Sequence, residues 1–275
     1  MKKLFITNRK KQRIAVLTDI SKNQKGLAVV MHGLGGYKEQ LEIETIANVF
    51  KEEGFTAVRF DTTNTFGESY GKYEDATTTN YYEDMLDVII WAKKQSWYEE
   101  PFWLCGHSLG GICVLLFAEE YPEMIKAIAP IAAVVSGKLS MKSPKYKENN
   151  QIEQWKKTGW RIEQSEHKHI EKKLPWSHMV DRQQYDALKK VDKLKMPVLM
   201  VVGENDDSTP LVHQKILYDK LAGEKELHII KNAPHVLLEK EHIIQIKDIF
   251  RKWIRNVMII EDKKVCVQLI CKVLQ

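Results

Sequence analysis

The chain has 275 residues, of which 44% are hydrophobic and 29% charged, with a formal net charge of +5. That length buries one sizeable core with room for an inserted subdomain, and the composition excludes a fibre or a disordered polymer. So modest a charge argues against nucleic acid as a partner.

Met1 to Ile6 opens like an export signal, but the polar run Thr7 to Lys11 cuts the apolar stretch short. No later run reaches the roughly 20 apolar residues of a membrane span. The expectation is a cytoplasmic protein without an integral membrane segment. Cys105, Cys113, Cys266 and Cys271 show no C-x-x-C spacing, which predicts free thiols in a reducing compartment.

Phe5 to Ile20 alternates around the basic cluster Arg9 to Arg13, predicting two short antiparallel strands. The apolar run Leu27 to Met31 predicts a buried strand ending at His32-Gly33, followed by a helix over Leu41 to Glu53 and a strand over Thr56 to Phe60. Tyr81 to Lys94 has helical spacing, Pro101 to Cys105 reads as a strand, and Ile112 to Tyr121 as an apolar helix. Further strands are predicted at Lys126 to Val135, Pro197 to Val202 and Glu226 to Ile230. Helices are predicted at Leu211 to Leu221 and Val236 to Val257, the last with Ile243, Ile246, Phe250 and Ile254 facing inward. Strands alternating with helices predict an α/β fold: a doubly wound, mostly parallel sheet of about eight strands.

Residues 137–190 break the alternation. They hold no clear strand, few aliphatics and three tryptophans, Trp155, Trp160 and Trp176. Their 11 Lys and 2 Arg against 7 acidic residues concentrate the excess positive charge there. An insertion of this size predicts a helical lid between core segments 1–136 and 191–258. Residues 259–275 form a tail: Val265 to Leu274 is apolar, and Glu261 to Lys264 separates it from the last helix. Packing on a sheet edge and self-association into a homo-oligomer both stay open for it.

The chemistry starts at Gly106-His107-Ser108-Leu109-Gly110, a serine on a strand-to-helix turn. Glycines two before and two after it suit a turn too tight for larger residues. A serine hydroxyl is a weak nucleophile until a base and an orienting carboxylate reach it. Candidates stand at later strand ends. Gly203 to Pro210 carries Glu204, Asp206 and Asp207, and Lys231-Asn232-Ala233-Pro234-His235 precedes the closing helix.

With His32-Gly33-Leu34-Gly35-Gly36, the Ser108 turn, the acid loop and His235 in this order, the chain from about Leu27 to Ile254 resembles the α/β-hydrolase superfamily. Within it the resemblance is to esterases and lipases of the monoacylglycerol-lipase and cinnamoyl (feruloyl) esterase kind. The resemblance implies Ser108 as nucleophile, His235 as general base and then acid, and Asp206 as the orienting carboxylate, since Asp207 falls one residue late. It also implies backbone N–H groups of Leu34 and Leu109 as the donors meeting the developing oxyanion. No metal or organic cofactor is implied, and the partner is a small-molecule ester. Trp155, Trp160 and Trp176 are expected to wall the substrate pocket.

Other histidines carry blander expectations: His107 packs beside Ser108, His213 and His228 are structural, and His167, His169 and His178 lie in the lid, solvated or touching substrate. Two departures from the family pattern stand out. Asp61 to Ser69 has one residue too many and lacks glycines, and Pro234 precedes His235 where a small residue is commoner. The alternative readings are another reaction of the same triad (thioesterase, acyltransferase, C–C hydrolase or peptidase) and a non-catalytic receptor that keeps the fold. The basic lid argues against an aminopeptidase, which needs carboxylates for the substrate amine.

Overall fold

Central strands buried on both faces explain why the sequence reads there as unbroken apolar runs. A computed structural model describes residues 1–164 and 171–273, with side chains as far as residue 260 apart from Asn149. In it β3 (Leu27–Met31), β4 (Thr56–Phe60), β5 (Phe102–His107) and β9 (Val198–Gly203) are buried at every position, and β6 (Ile125–Ile131) at all but one. With β1 (Lys2–Thr7), β2 (Arg13–Asp19) and β10 (Lys225–Ile230) they form one eight-stranded sheet in the order β1-β2-β4-β3-β5-β6-β9-β10. Only β2 runs against the others, pairing antiparallel with both β1 and β4. From β4 to β10 every neighbour is parallel.

Alternation along each strand divides the core in two. Leu27, Val29 and Met31 face a layer containing α2 (Thr78–Ala92), α3 (Leu109–Glu120) and α8 (Leu211–Lys220). Ala28 and Val30 face α1 (Leu41–Glu52) and α9 (Lys240–Val273), where Phe50, Phe55, Trp103, Phe250 and Trp253 meet edge to face. The chain leaves β3 toward β4 on one side and returns to β5 on the other. This reversal opens a crevice beyond the carboxyl ends of β3 and β5, the place where doubly wound sheets bind ligands.

Helix starts depend on partners distant in sequence. α2 begins at Thr78, three residues before the predicted Tyr81. Thr77 Oγ1 accepts from Asn80 N at 3.0 Å, and Asp181 Oδ2 accepts from Thr78 N at 2.7 Å and Thr79 N at 3.1 Å. α9 starts at Lys240, not Val236, because the preceding residues form the loop that carries His235. It then continues to Val273 through Glu261-Asp262-Lys263-Lys264. The separation expected there does not occur: the stretch has no Gly or Pro, and charge alone does not stop a helix.

Between β6 and β9, residues 137–190 contain the short helices α4 (Gly137–Ser140), α5 (Pro144–Lys147), α6 (Gln151–Thr158) and α7 (Trp176–Arg182). They also contain an antiparallel hairpin absent from the sequence reading, β7 (Trp160–Gln164) paired with β8 (Glu171–Pro175). Its polarity is inverted. Trp160 and Ile162 point to solvent while the Arg161 guanidinium turns in, 5.3 Å from the Tyr146 ring centroid and 5.1 Å from that of Trp155. Trp155, 1% exposed, donates Nε1–H to Leu174 O at 2.9 Å and packs with Tyr73, Tyr146 and Met179. His178 Nδ1 lies 2.7 Å from Ala76 O. The insertion is therefore fastened to the segment entering α2.

Candidate active site

Ser108 occupies the corner between β5 and α3 with φ 53° and ψ −112°, a left-handed conformation costly for any residue with a Cβ. Its main chain is held on both sides: Ser108 N donates to Ile131 O at 2.9 Å, and Ser108 O accepts from Gly111 N and Val134 N, each at 3.0 Å. The flanking glycines are needed for approach, since a Cβ on Gly106 would stand 2.4 Å from Gly110 O.

The loops after β9 and β10 bring the other two predicted residues to it. His235 Nε2 lies 2.9 Å from Ser108 Oγ, and His235 Nδ1 lies 2.8 Å from Asp206 Oδ2. A carboxylate only accepts, so Nδ1 carries the proton and Nε2 is left to accept from the serine hydroxyl. Asp206 is 4% exposed; its Oδ1 accepts from Ser208 N at 2.9 Å and Thr209 N at 2.7 Å, and Thr209 Oγ1 stands 2.9 Å from Oδ2. Burial pushes this carboxyl up, but His235 and the Thr209 donors outweigh it and hold it below its ordinary value. Asp207 is exposed and accepts from Ser208 Oγ at 2.9 Å, away from the imidazole.

The loop after β3 forms the facing wall. A Cβ on Gly33 would stand 2.9 Å from Ser108 Cβ, which places this backbone against the serine. Leu34 lines the same cavity, and Leu109 is the first residue of α3, where a helix N–H has no intrahelical acceptor. His32 Nε2 accepts from Thr62 N at 3.0 Å, so its Nδ1–H donates to Gly33 O at 2.7 Å, and Gly35 N donates to Tyr81 OH at 3.0 Å. The loop after β4, whose sequence departs from the family pattern, closes around a buried ion pair. Asp61 accepts from Lys38 N and Glu68 N at 2.7 Å each and from Lys38 Nζ at 2.9 Å. Two charges with no exposed side-chain surface and so many shared donors fix both loops at once.

Together these loops enclose a cavity of about 460 Å³ that holds Ser108, His235, Leu34, Tyr37, Phe66 and Lys172 among its walls. The three tryptophans expected there are elsewhere. Trp155 is in the insertion's own core, Trp176 packs edge-on against it, and Trp160 is 45% exposed on the hairpin. The apolar wall comes instead from Phe66, stacked on Tyr73 with ring centroids 4.7 Å apart, on the irregular loop after β4. His178 is wholly buried rather than solvated; His167 and His169 lie outside the described residues. His213 is buried, and His228 Nε2 lies 2.8 Å from Glu226.

Glu42, in the first turn of α1, is 1% exposed, and its Oε2 has no partner among the described residues. Gln40, a wall residue of the cavity, donates to Oε1 at 2.5 Å. Burial pushes this carboxyl from 4.5 to about 7. The folded state therefore binds a proton that the unfolded chain has released between those values, and stability falls as pH rises through that window. Glu42→Gln keeps the acceptor and removes the titration. It should leave stability unchanged near pH 4 and raise it by on the order of 3 kcal/mol at pH 8, read from urea unfolding at both values.

Among the described residues no group of three or more His, Cys, Asp or Glu is placed to hold a metal ion, and no helix is long and apolar enough to cross a membrane. Cys105 and Cys113 are free and buried.

An eight-stranded, mostly parallel sheet with helices on both faces and a serine elbow after β5 is the α/β-hydrolase fold. Solved structures agree: Est1E from Butyrivibrio proteoclasticus, with ferulic acid bound, superposes with a TM-score of 0.77 at 22% identity, over 93% of this chain and 99% of that one. The mouse alpha/beta hydrolase domain-containing protein 10 does so with 0.77 at 19% identity, over 94% and 100%. The chain belongs to the α/β-hydrolase family described as serine aminopeptidase, S33, whose model matches residues 22–242. Among curated proteins, an uncharacterized 31.7 kDa Escherichia coli protein of the traX-finO intergenic region is 27% identical over 76% of this chain and 82% of its own length. A Mycoplasma genitalium protein provisionally described as esterase/lipase 2 is 24% identical over 84% and 92%.

Proposed function

We propose that the protein is a serine hydrolase of carboxylic esters with small to medium acyl or aryl groups. The observation that carries this reading is the unbroken relay from Asp206 Oδ2 through the His235 ring to Ser108 Oγ, at 2.8 and 2.9 Å, opening into a cavity. Ser108 attacks the ester carbonyl while His235 Nε2 takes its proton. The oxyanion forms against the N–H groups of Leu34 and Leu109, and the same imidazole returns the proton to the leaving alcohol. Water then repeats the sequence on the acyl-enzyme.

Three observations favour esters over peptides. His235 and the Thr209 donors keep Asp206 ionised against its burial, as any triad needs, so the choice falls to the cavity. An aminopeptidase must meet a substrate ammonium with a carboxylate, and the acidic wall residue here, Glu39, already has Lys38 Nζ at 3.1 Å. The similar structure of Est1E holds ferulic acid, and the Mycoplasma relative carries an esterase/lipase description. The reading includes a cytoplasmic location, supported by the buried free thiols Cys105 and Cys113.

A fluorophosphonate probe should add to the peptide containing Ser108, and p-nitrophenyl butyrate should be cleaved far faster than alanine p-nitroanilide. An unlabelled serine would refute the reaction class, and the reverse substrate order would make the protein an aminopeptidase.

A further inference from the structure

We propose that His107 is a positioning residue, whose ring N–H clamps the main chain of His235 so that the relay to Ser108 keeps its length. The proposal rests on the ester-hydrolase reading above and concerns how its general base is held.

His235 lies between Ile230, the end of β10, and Lys240, the start of α9, in a stretch without regular structure. Its ring bonds to Asp206 and Ser108 set the tilt of the imidazole, but where the ring sits depends on what holds its backbone. On one side Asn205 N donates to Ala233 O at 2.9 Å and Ala233 N to Ile230 O at 3.3 Å. Both ties stop two residues short of His235. On the other side His107 Nε2 stands 3.1 Å from His235 O itself.

A carbonyl only accepts, so this contact assigns the tautomer: His107 Nε2 carries the proton and Nδ1 is bare. Nδ1 would stand 3.0 Å from a Cβ on Gly33, against the loop that supplies the Leu34 N–H. The two histidine rings lie 5.0 Å apart between centroids, tilted by 35°. His107 is 3% exposed and ends β5, one peptide bond before Ser108. One side chain thus touches the base's backbone, the base's ring and the oxyanion loop while being covalently fixed beside the nucleophile. Burial first, and the neighbouring His235 second, push the His107 pKa down to about 3. It therefore stays neutral when His235 takes the serine proton, and donates without adding a like charge beside the imidazolium.

Loss of the clamp lets the imidazole drift, and a misplacement of 1 Å in such a relay costs about 100-fold in rate. The His107 N–H faces His235 O and is not offered to a ligand, so the loss belongs in kcat and not in KM. The test uses the full chain with His107→Phe, which keeps a ring but no donor, His107→Leu as a second donor-free variant, and His107→Gln, whose amide N–H restores one. Turnover of p-nitrophenyl butyrate, the rate of fluorophosphonate labelling and Tm are measured on each. The donor-free variants should lose about 10- to 100-fold in kcat and in labelling rate, with KM within about threefold, and Gln should recover most of the loss at similar Tm. Full kcat in the Phe or Leu variant, or equal losses in Gln and Phe, overturns the clamp while leaving the ester hydrolase standing. Wild-type protein that neither cleaves the ester nor takes the probe overturns both.

Discussion

Ser108→Ala should abolish ester cleavage, lowering kcat by at least about 10³-fold, while the protein stays folded with Tm within a few degrees of the parent. The substitution removes one oxygen and nothing that holds the elbow. The turn is fixed by main-chain bonds at 2.9 and 3.0 Å from Ser108 to Ile131, Gly111 and Val134, and alanine keeps all of them together with the same Cβ in the same left-handed backbone. What disappears is the single atom that His235 Nε2 faces at 2.9 Å. On the proposed mechanism, residual rate over water would come from the main-chain donors at Leu34 and Leu109 and from binding. Turnover of p-nitrophenyl esters by purified variant and parent decides it, with circular dichroism to establish folding. A variant that keeps its rate would move the nucleophile elsewhere.

Asp206→Asn should cost nearly as much, about 10³- to 10⁴-fold in kcat, while Asp207→Asn stays within about twofold. The reason is tautomeric. An amide can present its NH₂ to His235 Nδ1, which then must accept, so the imidazole proton moves to Nε2 and points at Ser108 Oγ. No base remains. The amide oxygen left in the Oδ1 place still accepts from Ser208 N and Thr209 N, but without the negative charge that strengthens those bonds, so stability falls too. Because the Asp206 pKa is depressed in the folded state, its contribution to stability is present above the unfolded value and is lost as pH falls through the folded one. The stability gap between parent and Asn variant should therefore narrow as the solution is acidified, a trend that urea midpoints at pH 7 and pH 3 will show. Asp207, exposed and bonded to its neighbour, offers the contrasting case. Equal losses at both positions would leave the acid unassigned.

The sheet was readable wherever strands are buried on both faces, because there the code is an uninterrupted apolar run. β3 and β4 fall on the predicted residues, and the serine turn, the acid loop and His235 follow strand ends as their glycines and prolines suggest. The hairpin β7–β8 was unreadable for the opposite reason. Trp160 and Ile162 face water and Arg161 faces aromatic rings, so the polarity that would announce a strand is reversed. The tryptophans do not form the cavity wall because Trp155 and Trp176 satisfy the insertion's own core and Trp160 faces water. Phe66 reaches the cavity only through a loop whose shape depends on Asp61 and Lys38, paired across 23 positions. The long final helix has no Gly or Pro to stop it, and a charged stretch alone does not divide it. Local patterns report burial well, and they report long-range pairing poorly.

Asp181 belongs to the insertion yet finishes the first turn of α2, a helix of the main sheet layer, by accepting from Thr78 N and Thr79 N. Such shared ownership makes the segment a poor cassette. Exchanging residues 137–190 for the corresponding piece of a relative would transplant a new roof and at the same time unseat a supporting column, unless the donor piece brings its own acid to that spot. Chimeras meant to alter substrate preference should be cut with this acid retained, and libraries aimed at the roof should leave it untouched.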